Sequence, residues 1–225
     1  MLNIAHRGFT KRFPGNTLEA FQAAIDLEVD GIECDVQETA DNEFVIYHDP
    51  QLLGTEIGRL SLEQVRRARL EGNYRVPTLE ETMEFCKDRT RVMLDLHSVR
   101  SLGKFLELVR RGFKPEELAM SAFDPELIRR LAELAPELRR GIIVDMPMGD
   151  PIEMLRSSRC QGIGVRFPSA TKELVERIHE NGFMILVWGC RDHEETREAL
   201  QLDIDGIVSD FPDVVREELG RRKDK

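Results

Sequence analysis

Short apolar runs alternate with amphipathic stretches along the whole 225-residue chain, and this alternation constrains the fold more than any other property of the sequence. Apolar runs at residues 2–5, 31–36, 92–96, 118–122, 141–144, 162–167, 184–188 and 206–209 predict about eight strands. Helical spacing fills the gaps at 17–27, 79–87, 102–111, 125–134, 151–156, 172–181 and 193–200, and Thr, Ser or Asp opens several of these segments in a capping position. A further short strand at 44–47 follows the turn Asp41-Asn42-Glu43 and should form a hairpin with the second strand. Eight strand-then-helix units predict a small α/β protein, a (β/α)8 TIM barrel with an extra β-hairpin after strand 2; a doubly wound open sheet is the alternative. No Pro/Gly/Ser linker or charge block divides the chain, so residues 1–225 read as a single domain.

Forty-two acidic residues against 32 basic ones give a net charge of -10, which argues against nucleic acid and anionic membranes as partners. A phosphate-bearing substrate would therefore need local positive charge from arginines or a metal ion. No apolar run approaches the ~20 residues of a membrane span, so no stable membrane insertion is expected. The opening Met1-Leu2-Asn3-Ile4-Ala5 runs straight into His6-Arg7 without the apolar core of a signal peptide, which points to the cytoplasm. Cys34, Cys86, Cys160 and Cys190 are dispersed and form no CxxC pair, so they read as reduced, buried thiols. Oligomeric state is open.

In a barrel the reactive groups gather at the C-terminal ends of the strands. The second strand carries Glu33 and Asp35 two residues apart, hence on one face, with Ile32, Cys34 and Val36 on the other. Two carboxylates sharing a barrel interior would repel unless a cation or proton compensated them; on a half-exposed strand they would simply be solvated. Asp95 repeats the device between Leu94 and Leu96, and three converging carboxylates suit one hard divalent cation, Mg²⁺ or Ca²⁺, rather than zinc. His6 ends the first strand, with Arg7-Gly8 behind it: a tight turn that presents a guanidinium fork suited to phosphate. His48 supplies a second imidazole near the same rim, with Asp49 beside it to orient it or to cap the turn to Pro50. Two histidines flanking a phosphoryl group can act as general base and general acid. His97, Arg166, Trp188 and Asp210 also end strands.

These residues resemble the glycerophosphodiester phosphodiesterase family, and the likeness spans nearly the whole chain. Ile4-Ala5-His6-Arg7-Gly8 is similar to the family's opening HRG motif, and Pro14-Gly15-Asn16-Thr17-Leu18-Glu19 to its PENT segment. Glu33-Cys34-Asp35 resembles its paired metal carboxylates, and Val45-Ile46-Tyr47-His48-Asp49 its second catalytic histidine. Val76-Pro77-Thr78-Leu79-Glu80-Glu81, Ser121-Ala122-Phe123-Asp124, Val187-Trp188 and Asp205-Gly206-Ile207-Val208-Ser209-Asp210 continue the match in order. The resemblance implies a metal-dependent hydrolase that splits a small glycerophosphodiester into glycerol phosphate and an alcohol through a cyclic phosphate. In that scheme His6 and His48 trade proton duties, Arg7 holds the nonbridging oxygens, and Glu33, Asp35 and Asp95 hold the cation.

The chain departs from the family pattern around this proposed site. Gly15 stands where Glu is usual, Asp95 replaces a Glu, His97 replaces a Lys, and Gly189-Cys190-Arg191 follows Trp188 where Thr-Val-Asn is common. His97 would then contact the phosphate or orient Asp95, and Trp188 would line the leaving-group pocket or close the core. Two other functions compete: a non-catalytic phosphate-ligand binding module, and a phosphodiesterase for a bulkier lysolipid headgroup. The latter needs an apolar approach surface, and the sequence shows no exposed aromatic or Met stripe.

Overall fold

The computed structural model describes residues 1–223; the last two residues of the expected domain lie outside the described residues. Eight parallel strands close into a barrel: β1 (Leu2–His6), β2 (Gly31–Glu38), β6 (Arg91–Ser98), β7 (Leu118–Ala122), β8 (Arg139–Val144), β9 (Gly162–Arg166), β10 (Met184–Trp188) and β11 (Gly206–Ser209). The barrel closes because β1 pairs with both β11 and β2, which excludes the open sheet. Strand β3 (Phe44–Ile46) pairs antiparallel with the upper end of β2, the expected hairpin, one residue shorter than the sequence predicts. The long strands β2 and β6 reach beyond their apolar runs as far as Glu38 and Ser98, since ladder partners continue to pair there.

Helices follow the strands, and their starts are written in the sequence. Thr17 caps α1 (Leu18–Asp26), Thr78 and Glu81 form a capping box on α3 (Leu79–Cys86), and Asp124-Pro125 and Asp150-Pro151 open α5 (Pro125–Leu134) and α6 (Pro151–Ser157). Helices α4 (Leu102–Gly112), α7 (Lys172–Glu180), α8 (His193–Leu200) and α9 (Pro212–Lys223) complete the ring. Ile32, Cys34, Val36, Leu94 and Ile185 point outward from the barrel and are fully buried in the main core, which leaves the alternate residues of the same strands facing inward.

Residues 47–77 form a small addition the sequence did not announce. A two-stranded ribbon, β4 (Gln51–Leu52) and β5 (Thr55–Glu56), and helix α2 (Leu62–Arg67) cover a separate apolar cluster of Val45, Leu52, Ile57, Val65, Ala68 and Val76. Among the described residues, no helix is long and apolar enough to cross a membrane. All four cysteines are free and buried.

Candidate active site

Strand register brings the reactive residues to one level. His6 lies opposite Glu33 across β1–β2, and Asp35 opposite Asp95 across β2–β6. Glu33, Asp35 and Asp95 are all buried, and one oxygen from each lies within 4.8 Å of the others. A cavity of about 130 Å³ opens above them, lined also by His6, Arg7, His48, His97 and Trp188. All eight site residues predicted from the sequence thus surround one cavity. A second, mainly apolar cavity of about 140 Å³ lies at the opposite end of the barrel, away from the two catalytic-candidate histidines.

The cluster sets three carboxyl groups beside one guanidinium and one imidazole. Burial, then the charges of Asp35 and Asp95, push Glu33 well above the usual carboxylate range. Asp35 goes the other way. Burial would raise it, but a hydrogen bond with His97, the Arg7 guanidinium and a hydrogen bond from Asn16 bring it down to about 2. Arg7 Nε lies 2.9 Å from Asp35 Oδ2, and Asn16 Nδ2 donates to the same oxygen at 2.6 Å. His97 Nε2 sits 2.7 Å from Asp35 Oδ1 and 3.3 Å from Asp95 Oδ2, bridging two carboxylates from neighbouring strands. Burial alone would lower its pKa, but those two partners raise it to about 10, so the ring is a cation at neutral pH. Three acids then face two cations, Arg7 and His97. The donor set is all oxygen and crowded, and it fits a hard divalent cation. Asp35, His48 and His97 also bring donor atoms within the same distance of one another, but His97 Nε2 is already engaged between carboxylates.

Both remaining imidazoles are held from behind. His6 Nδ1 lies 2.8 Å from Asp210 Oδ1, and His48 Nδ1 lies 2.8 Å from Asp49 Oδ1. A carboxylate can only accept, so each Nδ1 donates to its carboxylate and each Nε2 is the atom left to take or give a proton. Asp210 is itself fixed by the Thr10 hydroxyl at 3.2 Å; burial would raise its pKa, but the His6 contacts hold it below the usual value. His48 stacks edge-on against His97 with ring centroids 5.4 Å apart.

The turn that carries His6 and Arg7 is set by glycine. Arg7 and Gly8 adopt φ of +57° and +83°, and a side chain at Gly8 would come within 2.6 Å of the Ala20 backbone in α1. Only glycine lets the loop lie this close to the helix. At Gly15 an added Cβ would sit 3.0 Å from Arg7 Cβ and 3.1 Å from Thr10, so the small residue leaves room for Arg7 to reach Asp35. Arg166 pairs with Asp145 at 3.4 Å and lies over the Trp188 ring at 5.7 Å.

Asp210 and Asn16 were quoted in the sequence without a role, and the spacing that could have revealed one exists only after the barrel closes. Asp210 stands 204 residues from His6 and 2.8 Å from it. Exposure of the rim corrects the sequence expectation. Phe123, Met146 and Met148 are large apolar side chains exposed by 48, 62 and 84%, in loops that follow the adjacent strands β7 and β8. No stripe showed in the sequence because these residues come from two separate loops.

Comparison with known proteins bears on the family and the fold. The model of the family described as "Glycerophosphoryl diester phosphodiesterase family" matches residues 6–214. A glycerophosphodiester phosphodiesterase of Caldanaerobacter subterraneus is 28% identical over 95% of this chain and 96% of its own. The crystal structure of a putative glycerophosphodiester phosphodiesterase from Galdieria sulphuraria is similar with a TM-score of 0.88 at 26% identity, covering 96% of each chain. An Oleispira antarctica phosphodiesterase in complex with the product sn-glycerol-3-phosphate shares the fold, with a TM-score of 0.90 at 22% identity over 96% of each chain.

Proposed function

The chain belongs to the glycerophosphoryl diester phosphodiesterase family, and we propose that it hydrolyses small glycerophosphodiesters to glycerol phosphate and an alcohol. The observation that carries this reading is the pair of imidazoles, each with Nδ1 tied to its own carboxylate at 2.8 Å, on the wall of one cavity with the three acids and Arg7. Glu33, Asp35 and Asp95 would hold one divalent cation, Mg²⁺ or Ca²⁺. When bound, such an ion supplies Lewis-acid neutralisation of the phosphoryl charge.

The chain's own residues account for the rest. Arg7 engages Asp35 through Nε, and the proposal assigns its terminal nitrogens to the nonbridging phosphate oxygens. One imidazole Nε2 takes the proton of the glycerol hydroxyl beside the phosphate as that oxygen attacks phosphorus, and the other delivers a proton to the departing alcohol. The resulting cyclic phosphate is opened by water with the two roles reversed. Because the first attack is intramolecular, orientation supplies much of the rate. His97 reads as a positioning residue that ties Asp35 to Asp95 as well as a positive charge facing the phosphate. Trp188 lines the cavity, and the proposal assigns it to the leaving-group pocket. Residues 1–225 read as one domain, and the free buried thiols are in keeping with a reducing, cytoplasmic setting.

The test is release of alcohol from glycerophosphocholine and glycerophosphoethanolamine with Mg²⁺, with Ca²⁺ and with excess EDTA. Turnover that depends on the cation is the expected result. No turnover with either cation but retained glycerol phosphate binding would make the protein a binding module, and turnover indifferent to EDTA would remove the metal from the scheme.

A further inference from the structure

Arg166 ends β9 and has no part in the scheme above. Ile163 and Val165 of that strand are buried in the main core outside the barrel, so Gly162, Gly164 and Arg166 face inward. Gly164 lines the catalytic cavity, and Arg166 is the next inward position, at the rim above it. Across the ladder Arg166 lies opposite Trp188, which lines the same cavity, and its guanidinium rests over the indole, 5.7 Å from the ring centroid. Phe123 meets that indole edge to face at 5.8 Å, so the ring is held by both neighbours.

A glycine makes room for this placement. Gly189 follows Trp188 with φ of +75°, and a Cβ added there would lie 2.9 Å from Arg166 Cγ and 3.3 Å from its Nε. Any larger residue would drive the Arg166 side chain from its place against Trp188. The backbone on which it stands is fixed: the Phe167 N–H donates to the Trp188 carbonyl and the Ser169 N–H to the Arg166 carbonyl, each at 2.8 Å. The guanidinium itself is loosely held. Among the described residues its one carboxylate within 4 Å is Asp145, at 3.4 Å, with the two side chains 51 and 66% exposed, and a pair of that kind is worth little. Other cations nearby are committed. Arg191 is tied to Glu195 through Nε at 2.7 Å, and Arg7 and His97 are both engaged with Asp35. Arg166 therefore brings a positive charge with donors to spare to the wall assigned to the leaving group.

We propose that Arg166 is a specificity-determining residue that engages a carboxylate on the departing alcohol, so that the enzyme favours a serine-type headgroup over an ethanolamine-type one. The incoming carboxylate takes the place of Asp145, and the planar fork of the guanidinium suits it. This rests on the hydrolytic reading above and specifies its leaving group; the bonds made and broken are unchanged.

The experiment compares kcat/KM for glycerophosphoserine and glycerophosphoethanolamine, which differ only by that carboxylate, with Mg²⁺ or Ca²⁺ present. A charge-assisted contact at a half-exposed site is worth about tenfold, so the wild-type protein should favour the serine diester by a ratio of about ten. Arg166→Gln should bring that ratio close to one. Gly189→Ala keeps the guanidinium in the chain but displaces it, and should lower the ratio in the same way. A wild-type ratio at or below one, or an Arg166→Gln variant that keeps the ratio of ten, overturns the assignment. So does a Gly189→Ala variant that folds and keeps it; where that variant does not fold, the Arg166→Gln ratio decides. Absence of turnover of either diester with either cation defeats the hydrolytic reading instead, and that outcome is separable from the others.

Discussion

His6 depends on a residue at the far end of the chain. Asp210 Oδ1 holds His6 Nδ1, which fixes the tautomer and leaves Nε2 facing Glu33 at 3.9 Å. If His6 and His48 share the proton work, His6→Ala and His48→Ala should each lower kcat by at least ~10²-fold with the circular dichroism of the fold retained. A near-normal rate in either variant would remove that residue from the reaction. Asp210→Asn is the sharper case. The amide is nearly isosteric but can donate to Nδ1, which favours the tautomer with the proton on Nε2, so kcat should fall by ~10²-fold or more while KM changes little. An unchanged kcat would mean that Asp210 only packs. The acids, Arg7 and both histidines were legible because each ends a strand with a period of two. His97 was legible as a residue that contacts the phosphate or orients Asp95, but its bond to Asp35 and the roles of Asp210 and Asn16 were not, because which carboxylate meets which ring depends on strand register and barrel closure.

Among the elements, the strands and capped helices were legible and the segment at 47–77 was not. Its strands are two residues long and its core is a separate cluster, so no periodicity could accumulate over such short pieces. Another element contact that the sequence hides is at the top of β2, where Glu38 is buried and its carboxylate accepts from the Ser101 backbone N–H at 2.9 Å, the Ser101 hydroxyl at 2.8 Å and the Arg100 N–H. It thereby ties the two residues that lead into α4 to the top of β2, where Ser101's own side chain provides no cap to the helix. Burial would raise the Glu38 pKa, but the bonds from Ser101 and Arg100 outweigh it, so it lies below its usual value. A lowered folded pKa means stability that is fully present above the unfolded value, ~4.3, and lost as pH falls from there through the folded pKa. Glu38→Gln should therefore destabilise the protein by about 1.5–3 kcal/mol at pH 7 in urea unfolding, and the gap to wild type should close below pH ~4. A gap that stayed constant down to pH 3 would show that the charge contributes nothing.

At the scale of the whole barrel, the acids are an unfavourable feature that the fold tolerates. Glu33, Asp35 and Asp95 sit on two adjacent strands in the interior, and Arg7 and His97 offset only part of their mutual repulsion. Strands β2 and β6 share the longest ladder in the barrel, seven paired positions, so strain from that repulsion falls on the contact that holds the rest in register. A ligand that binds only the closed barrel stabilises it by about 2.7 kcal/mol at a hundredfold excess over its dissociation constant. For a chain of this size each kcal/mol raises the unfolding temperature by about 2–4 °C, so saturating Mg²⁺ or Ca²⁺ should raise Tm by roughly 5–10 °C over the EDTA-treated protein. Glu33→Gln removes one oxyanion and one source of repulsion together. It should leave the EDTA-treated protein as stable as wild type or more so, while abolishing most of the gain on adding the cation. A variant that lost stability in EDTA yet kept the full metal-dependent gain would place the ion elsewhere and make the three carboxylates a structural charge network rather than a cation site.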